Sequence, residues 1–353
     1  MVALCQFLPG PASSQVGLAL GARRAGPLGA AAAWIGFTLP SAALMILAGW
    51  GALAFGTDAP ATQLAIHGLK LVAVAVVAQA VRQMAERLAG DARHATILVA
   101  AATVALTVPG LTGQLSAIGL GALAGLIAGR LRGGETSGPA PATGPLTIRV
   151  PMPVGLALLT VLVILLAAPL VVAVPEGLRV ADAAFRAGSL VFGGGHVVLP
   201  LLEADTVQTG IVARDTFLAG YGLAQAMPGP LFTFAAFLGT AAPVPGGILG
   251  GALALVAIFL PSTLILFGAL PFWDRLRAWS SARSALDGIN AAVVGLLVAV
   301  LYDPVATAAI HAPRDLAAAL VAYLLLQVWK VPPWVVVLSY GLAGAAIGAV
   351  RGL

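Results

Sequence analysis

The stretch Gly220–Phe234, GYGLAQAMPGPLFTF, sets a Pro-Gly-Pro inside an apolar segment, and Met1–Gln15, MVALCQFLPGPASSQ, does the same near the start of the chain. Each copy carries a glutamine shortly before the break, Gln6 in the first and Gln225 in the second. Proline lacks the backbone N–H and clashes with the preceding turn, so a helix stops there. Glycine lets the chain turn sharply. A new helix can start at the second proline, because proline is tolerated at the first helical position. Pro9, Gly10 and Pro11, and then Pro228, Gly229 and Pro230, are therefore expected to interrupt two matching segments and to form the apexes of two broken hairpins near mid-membrane.

The medium follows from composition. Hydrophobic residues make up 60% of the chain and charged residues 9%, against roughly a quarter charged in soluble domains. Apolar runs of about 18–20 residues recur, the length that crosses a ~30 Å hydrocarbon core as a helix. The short alternating segments of a membrane barrel are missing. The expected fold is an all-α integral membrane protein in a bilayer. The 18 Lys+Arg against 13 Asp+Glu leave a net charge of +5. They sit singly or in twos and threes in short loops, as topology signals do, and not on one face as a nucleic-acid binder would place them. One cysteine, Cys5, excludes a disulfide framework and a cysteine metal cluster. No basic residue precedes it, unlike a signal peptide.

Apolar segments fall at 1–22, 26–50, 63–81, 95–109 and 112–130, then, after a linker, at 151–174, 184–204, 216–241, 247–270, 284–303, 316–330 and 332–350. The linker, RLRGGETSGPAPATGPLTIR at 130–149, is polar and rich in Gly, Pro and Thr. The two sides match in more than the break. GFTLPS at 36–41 corresponds to IFLPS at 258–262, and HGLKLVAVAVV at 67–77 to DGINAAVVGLL at 287–297. Three collinear matches argue for an internal repeat. The expected units are a first repeat over 1–131, a linker with one connecting helix over 132–175, and a second repeat over 176–353.

Basic loops mark the cytoplasmic side. Arg23 and Arg24 precede segment 26–50, and FGTDAPATQ after it has no basic residue, so that segment runs outward. Arg82, Arg87 and Arg93 place the next loop inside, and Arg130, Arg132 and Arg149 place the linker inside. In the second repeat TAAPVPGG lacks charge before segment 247–270, while Arg275, Arg277 and Arg283 follow it, so the matching segment runs inward. The repeats are expected to be inverted, with the C-terminus periplasmic.

Inverted repeats with interrupted helices are the architecture of secondary transporters. Each half-helix after a break presents free N–H groups and a positive dipole end, a place to hold an anion. Ser13, Ser14 and Thr233 follow the breaks and can add hydroxyl donors, and the Gln6 and Gln225 amides can donate too. The plainer alternative is helix–helix hydrogen bonding. A further candidate lies in SLVFGGGHVVLPLLEAD, Ser189–Asp205. There Gly193, Gly194 and Gly195 end any regular helix, and His196 follows as an ionisable group inside an apolar segment. His196 suits anion binding or proton coupling, with a carbonyl bond in the bundle as the structural alternative. Lys70, and Asn290 opposite it in the repeat, are candidates as well, although Lys70 can snorkel to the interface. Glu203 and Asp205, at a segment end, read as interfacial. The four histidines have no metal-ligand spacing, and no serine-nucleophile motif occurs, so neither an enzyme nor a cofactor is expected.

The stretches FGGGHVVLPLLE and LAQAMPGPLFTFAAFLG resemble the C-terminal half of the chromate transporter family, and LCQFLPGPASSQVGLALG with GFTLPS resembles its N-terminal half. The resemblance implies a bacterial inner-membrane protein that exports chromate with the proton gradient as driving force. Sulfate or another tetrahedral oxyanion is the alternative substrate, and a passive anion channel the alternative class. A homodimer is the assembly kept open. In that family the first repeat usually opens with a further helix bearing an FGG-type motif. Here the second repeat carries that element, Phe185 to Asp205, and the first does not.

Overall fold

The computed structural model describes residues 4–5, 8–54, 59–108, 110–131, 148–192 and 194–351. It is all-helical, with no strand among the described residues, and seven helices are long and apolar enough to cross a membrane. The first half holds α1 (Ala12–Ala54), α2 (Pro60–Leu88), α3 (Ala92–Thr107) and α4 (Gly110–Leu131). Non-helical dihedrals at Ala25 and Gly26 divide α1 into two arms, and Pro27 opens the second. The arms fold back on one another, with Gly21 and Gly29 backbone to backbone. Asp91 caps α3 by accepting from the N–H groups of Arg93 and His94 at 3.0 and 2.8 Å, and the His94 N–H foremost lowers its carboxyl pKa.

The connecting helix α5 (Met152–Val171) buries only Gly155 and Leu162. Most of its apolar surface stays exposed, as a lipid-facing helix requires. Four short helices follow: α6 (Arg179–Leu190), α7 (Val198–Thr206), α8 (Arg214–Ala224) and α9 (Phe234–Ala241). At 1.5 Å per residue these arms are roughly 12–18 Å long, too short for a ~30 Å core. They form two hairpins. Arg186 of α6 reaches Asp205 beyond the turn at 3.5 Å, and Phe217 and Tyr221 of α8 pack their rings on Phe234 of α9 at 5.0 and 5.8 Å. Segment 184–204, expected to be a single apolar crossing, therefore turns back on itself. Segment 216–241 turns back at its Pro-Gly-Pro, the hairpin expected there.

The second half continues with α10 (Gly247–Ala269), a short helix at Trp273–Ala278, α11 (Ser280–Val300), α12 (Pro313–Gln327) and α13 (Pro333–Arg351). Its long helix and that of the first half are exchanged. α2 packs chiefly on α13 and α12, and α11 on α4 and α3. Small residues let the backbones approach: Gly68 meets the Tyr340 backbone, and Gly288 nests between Gly121 and Gly125. The densest apolar core surrounds the α8–α9 hairpin, where Phe217, Tyr221, Phe232, Phe234 and Phe237 are all buried.

Lys70, expected either in a site or snorkelling, is buried on α2 and paired with Asp215 at the start of α8 at 3.0 Å. Removing Asp215 strands that ammonium. Asp215 is 59% exposed, so the loss stays below the 3–5 kcal/mol of a fully buried pair. We expect Asp215→Ala to cost about 1–2 kcal/mol and to lower the thermal midpoint in detergent. Lys70→Met, which leaves no buried charge, should cost less. Equal losses from the two variants would assign the effect to packing.

Candidate functional site

Three chain turns meet at one cavity. The first is Pro9–Pro11, just ahead of α1. The second, between α6 and α7, contains Gly194 and leads into a short helical turn at Gly195–Val197. The third is Gln225–Pro230, which leads through Leu231–Thr233 into α9. Each arises where proline or glycine stops a helix. Contacts between them hold the group together: the Gly10 N–H donates to the Val191 carbonyl at 2.7 Å, and Gly195 lies against Leu231 and Phe232. The cavity, partly open to the surface, has a volume of about 340 Å³.

Pro11, Ser13, Gly194, Gly195, His196, Gln225, Gly229 and Pro230 line this cavity, with Phe37 and Met227 among its apolar walls. Eight of the residues singled out in the sequence are thus brought together from three separate stretches. Gln6 and Gly193 lie outside the described residues. Pro9 and Pro228 shape their turns without lining the space; the Pro9 carbonyl accepts from Gln15 Nε2 at 2.7 Å. Ser14 and Thr233 are buried behind the wall. The Thr233 hydroxyl donates to the Pro230 carbonyl at 2.9 Å, so it closes its own turn instead of facing a ligand. Neither Lys70 nor Asn290 lines the cavity. The helices that carry them pack on other partners, Lys70 against Asp215.

Polar chemistry in the cavity is sparse and donor-rich. His196 Nδ1 lies 2.8 Å from the hydroxyl of the fully buried Tyr221. Gln225, one helical turn on from Tyr221, has its amide nitrogen Nε2 buried with no protein partner. Three helical starts, at Ala12, Gly195 and Leu231, open onto the space. The N–H groups of each first turn have no partner within their own helix, and each start carries the positive end of a dipole. Among the described residues, no lysine or arginine lines the cavity. The arrangement can therefore hold a small anion by amide, imidazole and main-chain donors without a fixed countercharge. A larger groove of about 840 Å³ runs between α1, the 148–151 segment and α10; its walls are mostly apolar, with Arg23, Arg149 and Thr263 among them, and none of the residues singled out in the sequence as site candidates lines it.

Sequence reasoning missed Tyr221 and the two serines behind the turns. Tyr221 lies four residues before Gln225, one helical turn away on the same face; that spacing was the available signal. The serines carry a reciprocal contact. A Cβ on Gly10 would lie 2.9 Å from Ser262 Cβ, and one on Gly229 would lie 3.0 Å from Ser41 Cβ. Ser262 ends the IFLPS stretch of the second half, and Ser41 ends the FTLPS stretch of the first. Each Pro-Gly-Pro turn thus seats on the other half's Leu-Pro-Ser.

The sequence profile of the chromate transporter family matches residues 1–126 and 178–346. A chromate transport protein of Pseudomonas aeruginosa is 31% identical over 98% of this chain and 81% of its own length. One from Cupriavidus metallidurans is 23% identical over 97% of this chain and 81% of its own length. A probable chromate transport protein of Synechococcus elongatus is 24% identical over 83% of this chain and 70% of its own length. No solved structure matches significantly. With the profile covering both sides of the linker and a 31% identical relative aligned along nearly the whole chain, this multi-pass membrane protein belongs to the chromate transporter family.

Proposed function

We propose that this chain exports chromate across the bacterial inner membrane, driven by the proton gradient, and that the cavity at the three turns holds the anion during passage. The observation that carries this reading is the convergence of both Pro-Gly-Pro turns and the Gly194–His196 turn on one space with an unpartnered buried amide, Gln225 Nε2. Chromate is a tetrahedral dianion with four acceptor oxygens, which suits donors arriving from several directions. Sulfate has the same shape and charge, so it is the competing substrate. We assign the Tyr221 hydroxyl as donor to His196 Nδ1. That tautomer keeps a proton on Nε2 as a further donor.

The two halves act in this reading as inverted repeats, and the reciprocal seating of Gly10 on Ser262 and Gly229 on Ser41 supports that relation. Alternating access then follows from rocking one repeat against the other around the shared cavity. The linker and the Arg275–Arg283 loop face the cytoplasm and the C-terminus faces the periplasm, which phosphatase and fluorescent-protein fusions at these places would test.

The direct test is chromate accumulation in everted vesicles from expressing cells, with sulfate as competitor and with the proton gradient collapsed in a parallel sample. Gln225→Leu removes the unpartnered donor at similar volume. A hydrogen bond to a charged group is worth about 1.5–3 kcal/mol, so its KM for chromate should rise about 10- to 100-fold. Flux that ignores the proton gradient would favour a passive channel. An unchanged KM in Gln225→Leu would place the anion elsewhere.

A further inference from the structure

A second, smaller chamber of about 120 Å³ lies between α4, α7 and α11 and shares no lining residue with the oxyanion cavity. Gln114, Pro200, Glu203, Gln208 and Asp303 contribute its polar groups. Glu203, which the sequence placed at an interface, is only 3% exposed. One of its oxygens, Oε2, accepts from Gln208 Nε2 at 2.8 Å. Gln114 is 6% exposed, and its Nε2 donates to the Pro200 carbonyl at 2.7 Å. That bond fixes the orientation of the amide, since a carbonyl cannot accept from Oε1. Gln114 Oε1 is consequently an acceptor with no donor. An unmet buried acceptor beside a buried carboxylate is a costly combination unless something supplies a proton or a cation.

The charges around the chamber do not cancel. Arg214 lies 3.6 Å from Asp303, which also accepts from the Thr307 hydroxyl at 2.9 Å. Asp205, two residues beyond Glu203, is tied to Arg186 at 3.5 Å, and Arg186 also holds Asp182 at 2.7 Å. Among the described residues, Arg214 is the one cation near both Asp303 and Glu203, so the two carboxylates together keep one net negative charge. We propose that Glu203 is the carboxyl that takes up and releases the coupling proton, its protonated oxygen giving the donor that Gln114 Oε1 lacks, directly or across one water. This rests on the proton-driven reading above. Intramembrane carboxylates mark proton relays in transporters, and this one has a mechanical link to the anion. His196 and Glu203 sit seven residues apart on the same short helical segment, about 10 Å along its axis.

The test uses purified full-length protein and infrared difference spectroscopy between high and low pH, which needs no transported anion. A carboxylic-acid C=O band should appear on acidification, vanish in Glu203→Gln, and shift in frequency in Gln114→Leu, which removes its acceptor. In everted vesicles Glu203→Gln should lose gradient-driven chromate accumulation at least tenfold while keeping anion–anion exchange. Should Glu203→Gln fail to fold, Glu203→Asp must displace the band. An unchanged band in the Glu203 variants, or wild-type gradient-driven accumulation in Glu203→Gln, would overturn the proposal. So would thermal stabilisation of wild type by Na⁺, lost in Glu203→Gln, without any carboxylic-acid band. If wild type transports no oxyanion yet shows the band, the transport reading fails and the proton site stands.

Discussion

Gly229→Val is expected to abolish chromate accumulation in everted vesicles, with a loss of at least 100-fold, while the protein still inserts in the membrane. Gly229 has φ +139 at the tip of the α8–α9 hairpin, a backbone region that L side chains rarely adopt. A Cβ there would lie 2.5 Å from Ser41 Oγ and 3.3 Å from the Phe37 carbonyl. The strained backbone alone costs about 1–3 kcal/mol, and the collision drives the tip off its seat. The sequence pointed to the same residue for another reason, the sharp turn that glycine permits between two prolines. In the structure the missing side chain faces the other half of the protein. That distinction is measurable. Gly229→Ala should be rescued in part by Ser41→Gly, which removes the colliding hydroxyl but leaves the φ strain. Gly10→Val should fail in parallel, since Gly10 has φ +116 and faces Ser262. Full activity of Gly229→Val would show that the seat of this turn on Ser41 is dispensable.

His196→Ala is expected to raise the KM for chromate about 10- to 100-fold, the worth of one hydrogen bond to a charged ligand. Tyr221→Phe should do the same more weakly, about threefold to tenfold, by freeing the imaginable rotations of the imidazole that Tyr221 restrains through the 2.8 Å bond. Tyr221 touches no anion directly in this reading and acts as a positioning residue. His196→Gln, which can set an amide donor near the place of Nε2, should recover part of the affinity. Measuring KM and maximal flux separately discriminates the roles: loss of a binding donor moves KM, whereas a collapsed hairpin removes flux at every concentration. An unaltered KM in His196→Ala would take the imidazole out of the binding site and leave the glycine turn as a packing element.

Local chemistry determined a good deal of this protein before any folding is considered. Pro9–Pro11 and Pro228–Pro230 must stop a helix because proline has no N–H to give and glycine has no side chain to restrain it. Those properties belong to the residues themselves, so both interruptions were legible, as were the lipid-length apolar runs, the connecting helix near 151–174 and the family. Gln225 and His196 were legible too, as polar groups beside breaks in apolar sequence.

The return at Pro228–Pro230 was legible in the sequence, whereas tertiary structure alone decided that the chain also returns, and does not cross, at Gly194. For Arg179–Thr206 and Arg214–Ala241 it returns, because each arm finds a partner to cover it: Arg186 reaches Asp205, and Phe234 packs on Phe217 and Tyr221. Hydropathy counts apolar residues and says nothing of which neighbour buries them. The same gap explains Lys70, whose burial depends on Asp215, 145 positions away, and Thr233, whose hydroxyl is claimed by its own turn. It explains Glu203 as well. A carboxylate near a segment end reads as interfacial until α4 and α11 close over it with Gln114 and Asp303. Burial is a sum over contacts distant in sequence, and only the folded chain performs that sum.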